Sequence, residues 1–185
     1  MNAASLHCSP FGAVALLWTG TPTQPLVRRI LLPQGGLAAM TLARQVDPAA
    51  SAVSCAIIDG LLRRIEALLG GKDVRFSLAL LDLGSCPPFQ QAVLRATAGI
   101  PRGRVRTYEW LAVHLGKPGA SRAVGNALAN NPFPLVIPCH RVIRSGGQLG
   151  GFGGGSALKR ALLAMEGVEV APSGHVLCPR SCCAD

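Results

Sequence analysis

The 185-residue chain is poor in aromatic and acidic side chains. Phenylalanine, tryptophan and tyrosine together make up 4% of the residues, and 9 acidic residues stand against 18 lysines and arginines. Hydrophobic residues still make up 49% of the chain, which excludes disorder as a description of the whole. The length favours one domain, or one large domain with a smaller partner, and it is sufficient to bury a core without disulfide bonds.

The sequence also lacks an apolar run of the roughly 18 residues that a transmembrane helix requires. The apolar stretch "FGAVALLW" near the N-terminus is short, and no basic segment typical of a secretory leader precedes it. We therefore expect no secretion and no membrane association. The seven cysteines, an odd number, then indicate free thiols in a reducing compartment rather than a disulfide framework.

The net charge of +9 lies in one half of the chain. Residues 88–160 contain ten basic residues but only one acidic residue, Glu109, whereas the basic and acidic residues elsewhere cancel. A one-sided basic segment is typical of a protein that binds a polyanion. An ordinary solvated basic surface gives the same pattern, so charge alone does not decide between the two.

The first part of the chain has an α/β pattern. Two predicted strands, "GAVALLWTG" (12–20) and "PLVRRILLP" (25–33), flank the turn-forming "TPTQ". A helix is predicted over Ile57–Gly71, because apolar residues recur at helical spacing on the face that contains Ile57, Leu61, Leu62, Ile65, Leu68 and Leu69. The stretch "VRFSLALLDL" (74–83) predicts a further strand.

The second part has a helical pattern. Two short predicted helices, Thr107–Leu115 and Ala120–Ala129, flank the turn "KPG", which is the layout of a helix-turn-helix. The stretch "GSCPP" (84–88) is the predicted domain boundary. We therefore expect an α/β domain over 1–85, a second domain over 86–170, and an irregular tail over 171–185.

Cys139 lies in the stretch "PLVIPCHRVIRSGG", directly before His140 and close to Arg141 and Arg144. Cationic neighbours lower the pKa of a thiol and so favour the reactive thiolate, and no other cysteine here has such neighbours. A packed turn with a buried thiol explains the stretch about equally well. Metal binding is less favoured, because a second ligand pair at zinc-finger spacing is missing. The two arginines fit either phosphate contact or support of the thiolate.

His140 is the nearest base, but its position raises a geometric difficulty. Adjacent side chains point to opposite faces of a strand and do not face each other on a helix. Contact with Cys139 therefore requires a sharp turn, for which Pro138 supplies suitable chemistry, or a bridging water. A general base also needs a group that orients it, and Glu166 is the nearest acid downstream.

Several separated segments resemble the O6-alkylguanine-DNA alkyltransferases: "GRVRTYEWLA", "SRAVGNALANNPFPLVIPCHRV" and "GGFGGGSALKRALLAMEG". The resemblance covers residues 88–167. It implies an α/β N-terminal domain with a ribonuclease H-like outline and a mostly α-helical C-terminal domain with a winged helix-turn-helix-like DNA-binding motif. It also implies DNA repair as a methylated-DNA–protein-cysteine S-methyltransferase, in which Cys139 irreversibly accepts the O6-alkyl group of a flipped guanine. Each molecule acts once, without a cofactor or a metal.

The resemblance assigns a role to each residue around the thiol. His140 is the general base, acting through a water, and Glu166 orients it. Asn131 braces the turn before the cysteine. Tyr108 supplies a proton or a hydrogen bond to guanine N3 as the base leaves.

Three further residues are implied for the substrate pocket. The carbonyl of Val142, together with that of Cys139, accepts from the guanine amino group, and the N–H of Gly153 donates to O6. Phe152 stands where the family often has a tyrosine, so the aromatic wall remains without its hydroxyl.

The resemblance also implies how DNA is bound. Arg122 fills the gap left by the flipped base, and Ala123 and Gly125 are small enough to let the helix approach the minor groove, where binding is largely blind to sequence. The phosphate contacts are assigned to Arg102, Arg104 and Arg106. The expected partner is double-stranded DNA containing O6-alkylguanine, bound by a monomer in the cytoplasm of a bacterium or archaeon or in a eukaryotic nucleus.

Two other functions stay open. A non-catalytic lesion binder is disfavoured by the joint presence of Cys139, His140 and Glu166. A helix-turn-helix regulator that reads sequence is disfavoured by the small residues of the second helix, which leave few side chains to read base edges.

Overall fold

The computed structural model describes residues 2–6, 11–33 and 37–177. The chain divides into two compact units: the first comprises Met1–Leu83 with Pro132–Val136, and the second comprises Gly84–Asn131 with Ile137–Asp185. Within the described ranges the longest helix has 14 residues, and none is long and apolar enough to cross a membrane.

The first unit contains a mixed four-stranded sheet of order β3-β2-β1-β4. Its strands are β1 (Asn2–Leu6), β2 (Val14–Thr21), β3 (Gln24–Leu31) and β4 (Ser51–Ala52). The two predicted strands are thus confirmed as β2 and β3, which pair antiparallel through a tight turn. The short β4 pairs parallel to β1. The run from Val14 to Trp18 is buried at every position, because both faces of β2 are covered.

Two helices complete the first unit, α1 (Ala39–Val46) and α2 (Ala56–Leu69). The predicted helix over 57–71 is confirmed as α2, with one correction to its buried face. Ile57 is 37% exposed, whereas Ile58 is fully buried. The apolar stripe therefore begins one residue later than expected, because Ile58 and not Ile57 shares the face of Leu61, Leu62 and Ile65.

The prediction of a strand over residues 74–83 is wrong. This segment makes one isolated bridge, between Leu81 and Val27 of β3. The chain turns immediately around that bridge, since the N–H of Leu81 donates to Leu78 and that of Leu83 donates to Leu81. The alternating pattern is real, but the turn leaves no length over which a ladder can form.

The described part of the second unit contains four α-helices: α3 (Pro88–Ala98), α4 (Tyr108–His114), α5 (Ser121–Ala129) and α6 (Gly155–Met165). The two helices expected around the "KPG" turn are confirmed as α4 and α5, each within one residue of its predicted bounds. Its short strands are β5 (Arg106–Thr107) and β6 (Val142–Ile143), which pair parallel, and β7 (Glu169–Val170) and β8 (Val176–Leu177), which pair antiparallel. A 3₁₀ turn, Cys139–Arg141, precedes β6.

Two expectations about organisation need correction. The segment Pro132–Val136 belongs to the first unit, where the N–H of Ile30 donates to the carbonyl of Pro132 at 2.8 Å. The tail predicted to be irregular from residue 171 contains β8, which forms a hairpin with β7. The rest of that tail, residues 178–185, lies outside the described residues.

Candidate active site

The candidate nucleophile lies at the first residue of the 3₁₀ turn. Cys139 is 9% exposed, and its N–H donates to the carbonyl of Ile137 at 2.8 Å. The 3₁₀ turn is closed by a second hydrogen bond, in which the N–H of Arg141 donates to the carbonyl of Pro138 at 2.9 Å. The chain therefore does turn sharply at the cysteine, with the fixed φ of Pro138 preceding the turn.

Asn131 connects the end of α5 to this turn. Its side-chain amide donates to the carbonyl of Ile137 at 3.2 Å and to the sulfur of Cys139 at 3.2 Å. One amide thus spans the loop between α5 and the cysteine and also points a donor at the thiol. A donor at the sulfur favours the charged thiolate over the neutral thiol.

His140 lies in a buried network with Glu166 and Arg141. The imidazole is fully buried, and its Nε2 lies 3.0 Å from Oε1 of Glu166, whose side chain is only 2% exposed. Arg141 binds the same carboxylate in a bidentate way, with Nε 2.9 Å from Oε2 and a terminal nitrogen 2.8 Å from Oε1. The N–H of Gly103 also donates to Oε2, at 3.3 Å. Arg141 donates further to the carbonyl of Ile100 at 2.6 Å.

The ionisation of this network follows from its contacts. Burial alone would raise the pKa of Glu166, but the hydrogen bonds from His140 and Arg141 outweigh it and lower the pKa to about 2. Burial lowers the pKa of His140 more than the Glu166 contact raises it. The site therefore holds a carboxylate beside a neutral imidazole, whose Nε2 donates its proton to Glu166.

The other imidazole nitrogen is then a base. Nδ1 of His140 is buried and has no hydrogen-bond partner among the described residues. With the proton on Nε2, Nδ1 carries a lone pair. The fold thus presents one buried, unprotonated nitrogen on the residue next to Cys139.

The expectation that cationic neighbours lower the pKa of Cys139 is wrong. Burial raises the pKa of this thiol, and the opposing effects of the Asn131 amide and the Lys159 ammonium are smaller. The guanidinium of Arg141 instead binds Glu166 and the carbonyl of Ile100. Cys139 is thus a neutral thiol at rest, and its activation requires a base.

A cavity of about 330 Å³ opens onto the thiol. It is lined by Tyr108, Gly125, Leu128, Ala129, Cys139, Gly151, Phe152 and Gly153. The structure therefore brings four of the sequence-predicted residues, from three separate segments, around the sulfur. Phe152 also contacts His140 edge to face, with ring centroids 6.2 Å apart.

Tyr108 lies between α5 and the glycine-rich segment. A Cβ added to Gly150 would lie 3.1 Å from its hydroxyl, and one added to Gly125 would lie 4.0 Å from its ring. Burial raises the pKa of Tyr108, so the phenol keeps its proton at neutral pH. The hydroxyl is thus available as a donor in the cavity wall.

Lys159 is a residue of the site that sequence reasoning missed. Its ammonium is fully buried and donates to the carbonyls of Val142 (2.7 Å), Leu149 and Gly151 (3.4 Å). Burial lowers its pKa to about 8. The Val142 carbonyl, assigned to the guanine amino group, thus already accepts from Lys159. A signal was present, because Lys159 falls in the middle of the apolar face of α6, between Leu158 and Leu162.

The predicted DNA-contacting residues are dispersed over the second unit. Arg122 and Ala123 are exposed on α5. Arg102 donates to the carbonyl of Met165. Arg106 donates to the carbonyl of Val105, and its guanidinium carbon lies 4.8 Å from the centroid of the Trp110 ring. Arg104 is half-buried, and Arg144 is exposed. None of these arginines enters the cavity.

Metal ligands do not assemble in the described part of the chain, where no group of three or more histidine, cysteine or acidic residues is placed to hold an ion. Cys55 and Cys139 are free thiols. Cys8, Cys178, Cys182 and Cys183 lie outside the described residues.

The second unit matches a known class of DNA-binding domain. Residues 88–168 match the family model described as 6-O-methylguanine DNA methyltransferase, DNA binding domain. The chain is 31% identical to Mycobacterium tuberculosis OGT, solved in complex with DNA, with a TM-score of 0.73, and the match covers 90% of this chain and 93% of that one. The chain therefore belongs to the methylated-DNA–protein-cysteine methyltransferase family.

Two curated relatives carry that same family name. The protein of Methanothermobacter thermautotrophicus is 50% identical over 113 residues, which are 61% of this chain and 63% of the relative. The protein of Methanosarcina barkeri is 46% identical over 104 residues, which are 56% of this chain and 65% of the relative. The matched part of the chain thus spans less than two thirds of the length of either relative.

Proposed function

We propose that this protein repairs DNA by moving the O6-alkyl group of guanine onto Cys139, irreversibly and once per molecule. The observation that carries the proposal is the cavity with Cys139 in its wall, beside a buried histidine whose free nitrogen is set by Glu166. The family membership agrees with this chemistry, since the relatives are named for transfer to a cysteine.

The reaction begins with the thiol proton. Cys139 is neutral because it is buried, so its proton passes to Nδ1 of His140, through one water as the resemblance implies. Glu166 remains ionised, with its pKa near 2, and therefore stabilises the imidazolium that forms. The Asn131 amide donates to the sulfur and stabilises the thiolate.

The transfer itself is a displacement at the alkyl carbon. The thiolate forms the S–C bond while the C–O6 bond breaks, and guanine leaves as an anion. Tyr108 donates a proton or a hydrogen bond to guanine N3, and the N–H of Gly153 donates to O6. The product is a thioether, which no group in the site can reverse.

Access to the lesion requires that the base leave the helical stack, at a cost of roughly a few kcal/mol. We propose that α4 and α5 act as a winged helix-turn-helix-like element in the minor groove, that Arg122 fills the vacated position, and that the first unit has a ribonuclease H-like outline. Ala123 and Gly125 permit close approach of α5. Phosphates are contacted by Arg102, Arg104 and Arg106, and binding is largely independent of sequence.

We further propose that the protein acts as a monomer without a cofactor or a metal, and in the compartment that holds the DNA, which is the cytoplasm of a bacterium or archaeon or the nucleus of a eukaryote. The basic segment around the site supports a nucleic-acid partner, since it carries the whole net charge of the chain.

The test is a transfer reaction in which both partners are weighed. Protein in excess is incubated with a duplex oligonucleotide containing one O6-methylguanine, and the intact masses of protein and DNA are measured. We expect the oligonucleotide to lose one methylene as an equal amount of protein gains one. Cys139→Ala should bind the duplex without any change of mass. DNA that is bound but never demethylated by the wild type would instead identify a non-catalytic lesion binder.

A further inference from the structure

The chain that follows α6 returns to the glycine-rich segment of the site. We call residues 169–177 the C-terminal hairpin and residues 147–153 the pocket loop. The N–H of Val176 donates to Gly147 at 2.9 Å, and the N–H of Leu149 donates to Gly174 at 3.1 Å. His175 forms an antiparallel bridge with Gln148 between these two bonds. The second strand of the hairpin, β8, and the two residues before it therefore lie along the beginning of the pocket loop.

Arg160 of α6 binds the first strand of the C-terminal hairpin, β7, and the turn that follows it. Its guanidinium donates to the carbonyls of Val170 (2.8 Å), Ala171 (2.7 Å) and Pro172 (3.4 Å). The preceding residue, Lys159, donates to carbonyls of the pocket loop. Two adjacent cations of α6 thus hold the hairpin and the loop that pairs with it.

Side-chain contacts join the two segments as well. A Cβ added to Gly147 would lie 2.6 Å from Cε1 of His175, so the imidazole lies directly against bare backbone. Leu149 of the pocket loop is buried in one apolar cluster with Val168 and Val176. The hairpin and the start of the loop therefore share one small core.

We propose that the C-terminal hairpin is a positioning element for alkyl transfer, which holds the pocket loop so that Phe152 and Gly153 stay in the cavity wall. This inference rests on the proposed function. Glycine-rich backbone loses much conformational entropy when it is fixed, so the pocket loop depends on contacts from outside itself. The hairpin supplies those contacts at Gly147 and Leu149, and Leu149 lies two residues before Gly151, the first residue of this loop that lines the cavity.

The first experiment compares Arg160→Met with Arg160→Lys. Methionine keeps much of the apolar stem but removes every donor, whereas lysine keeps the charge and one donor group. Arg63→Met, an exposed position on α2, is the matched control for loss of one positive charge. Each protein is mixed with saturating O6-methylguanine duplex, and both the rate constant and the final amplitude of methyl transfer are measured.

The two quantities separate positioning from folding. A variant of which a fraction is irreversibly misfolded has a smaller amplitude, because fewer molecules react, but an unchanged rate constant. We expect Arg160→Met to retain its amplitude while its rate constant falls about tenfold, since small errors of position slow an oriented reaction strongly. Arg160→Lys should lie between Arg160→Met and the wild type. The ratio of O6-benzyl to O6-methyl transfer should also change, because Phe152 forms part of the wall.

A second experiment stays informative even if Arg160→Met does not fold. Gly147 has φ +78°, so Gly147→Ala carries backbone strain in any background, but the clash with His175 disappears in the His175→Gly background. We expect Gly147→Ala to lower the transfer rate constant more in the wild type than in His175→Gly.

The outcomes are distinct. An unchanged rate constant in Arg160→Met, or loss of amplitude alone, overturns the inference while the wild type still demethylates DNA. Equal effects of Gly147→Ala in both backgrounds also overturn it. A wild type that transfers no methyl group overturns the proposed function itself, and the inference with it.

Discussion

The carboxylate of Glu166 lies 3.0 Å from Nε2 of the buried His140, and this contact determines which imidazole nitrogen can act as the base. Because Nε2 donates to Glu166, the lone pair is on Nδ1, the atom without a partner in the described structure. Arg141 binds the same carboxylate and helps to keep it ionised. In the proposed reaction, acid–base chemistry at Cys139 therefore depends on this buried carboxylate.

Glu166→Gln should slow methyl transfer by about a hundredfold or more, because a neutral amide stabilises neither the correct tautomer nor the imidazolium. The measurement is the single-turnover rate constant with excess duplex. DNA affinity should stay near that of the wild type, since Glu166 is buried away from solvent. Transfer at the wild-type rate would show that His140 does not need this carboxylate.

Acid should destabilise the protein through the same group. The folded-state pKa of Glu166, about 2, lies below its ordinary value of 4.5, so its contribution is fully present above pH 4.5 and is lost as pH falls towards 2. The difference corresponds to roughly 3 kcal/mol. Urea unfolding between pH 5 and about pH 3 should show about half of this loss in the wild type, and Glu166→Gln should lack that part of the pH dependence.

Lys159→Met should remove a second pH dependence of stability, of the same sign but at alkaline pH. The pKa of Lys159 is lowered from 10.5 to about 8, so the unfolded chain binds more protons between these values. The wild type should therefore gain stability relative to the variant as pH rises from 8 towards 10.5, by at most about 3 kcal/mol. Both proteins carry Cys139→Ala in this comparison, so that the neighbouring thiol does not titrate. A constant difference across the range would contradict the buried ammonium.

Tyr108→Phe should reduce methyl transfer by about a hundredfold, the lower end of the range expected when one preorganised donor to developing negative charge is removed. The hydroxyl lies in the cavity wall, and the ring packs beside Gly125, so phenylalanine preserves the packing. The thermal midpoint and the affinity for unmodified duplex serve as controls, and neither should change. An unaltered rate constant would remove Tyr108 from the reaction.

Much of the fold was predictable because its signals are local. β2, β3, α2, α4 and α5 all follow from periodicity and turn residues. The segment 74–83 has a strand pattern, but strand formation also needs a partner along its whole length, and only Leu81 finds one. The place of Pro132–Val136 in the first unit has no local signal, since it depends on pairing with Ile30, about a hundred residues away.

For the candidate site, the sequence indicated several of the residues but not their ionisation states or their partners. Cys139, His140 and Glu166 were proposed together because their motifs resemble those of the family in order and spacing, and the structure places His140 against Glu166 and Cys139 in the cavity wall. The state of the thiol was not predicted, because burial raises its pKa while the sequence shows only its cationic neighbours. The neighbour Arg141 proved to be a partner of Glu166, which no spacing indicates. Lys159 was missed because a lysine on an apolar helix face is usually assigned to solvent.

The most direct test of the account is the position of the transferred methyl group. Wild-type protein is reacted to completion with excess O6-methylguanine duplex, digested, and mapped peptide by peptide. We expect one methyl group per molecule, as S-methylcysteine at Cys139, with Cys55 and Cys86 unmodified and no second turnover on fresh substrate. Methyl groups at another residue, or more than one demethylated guanine per protein molecule, would contradict it.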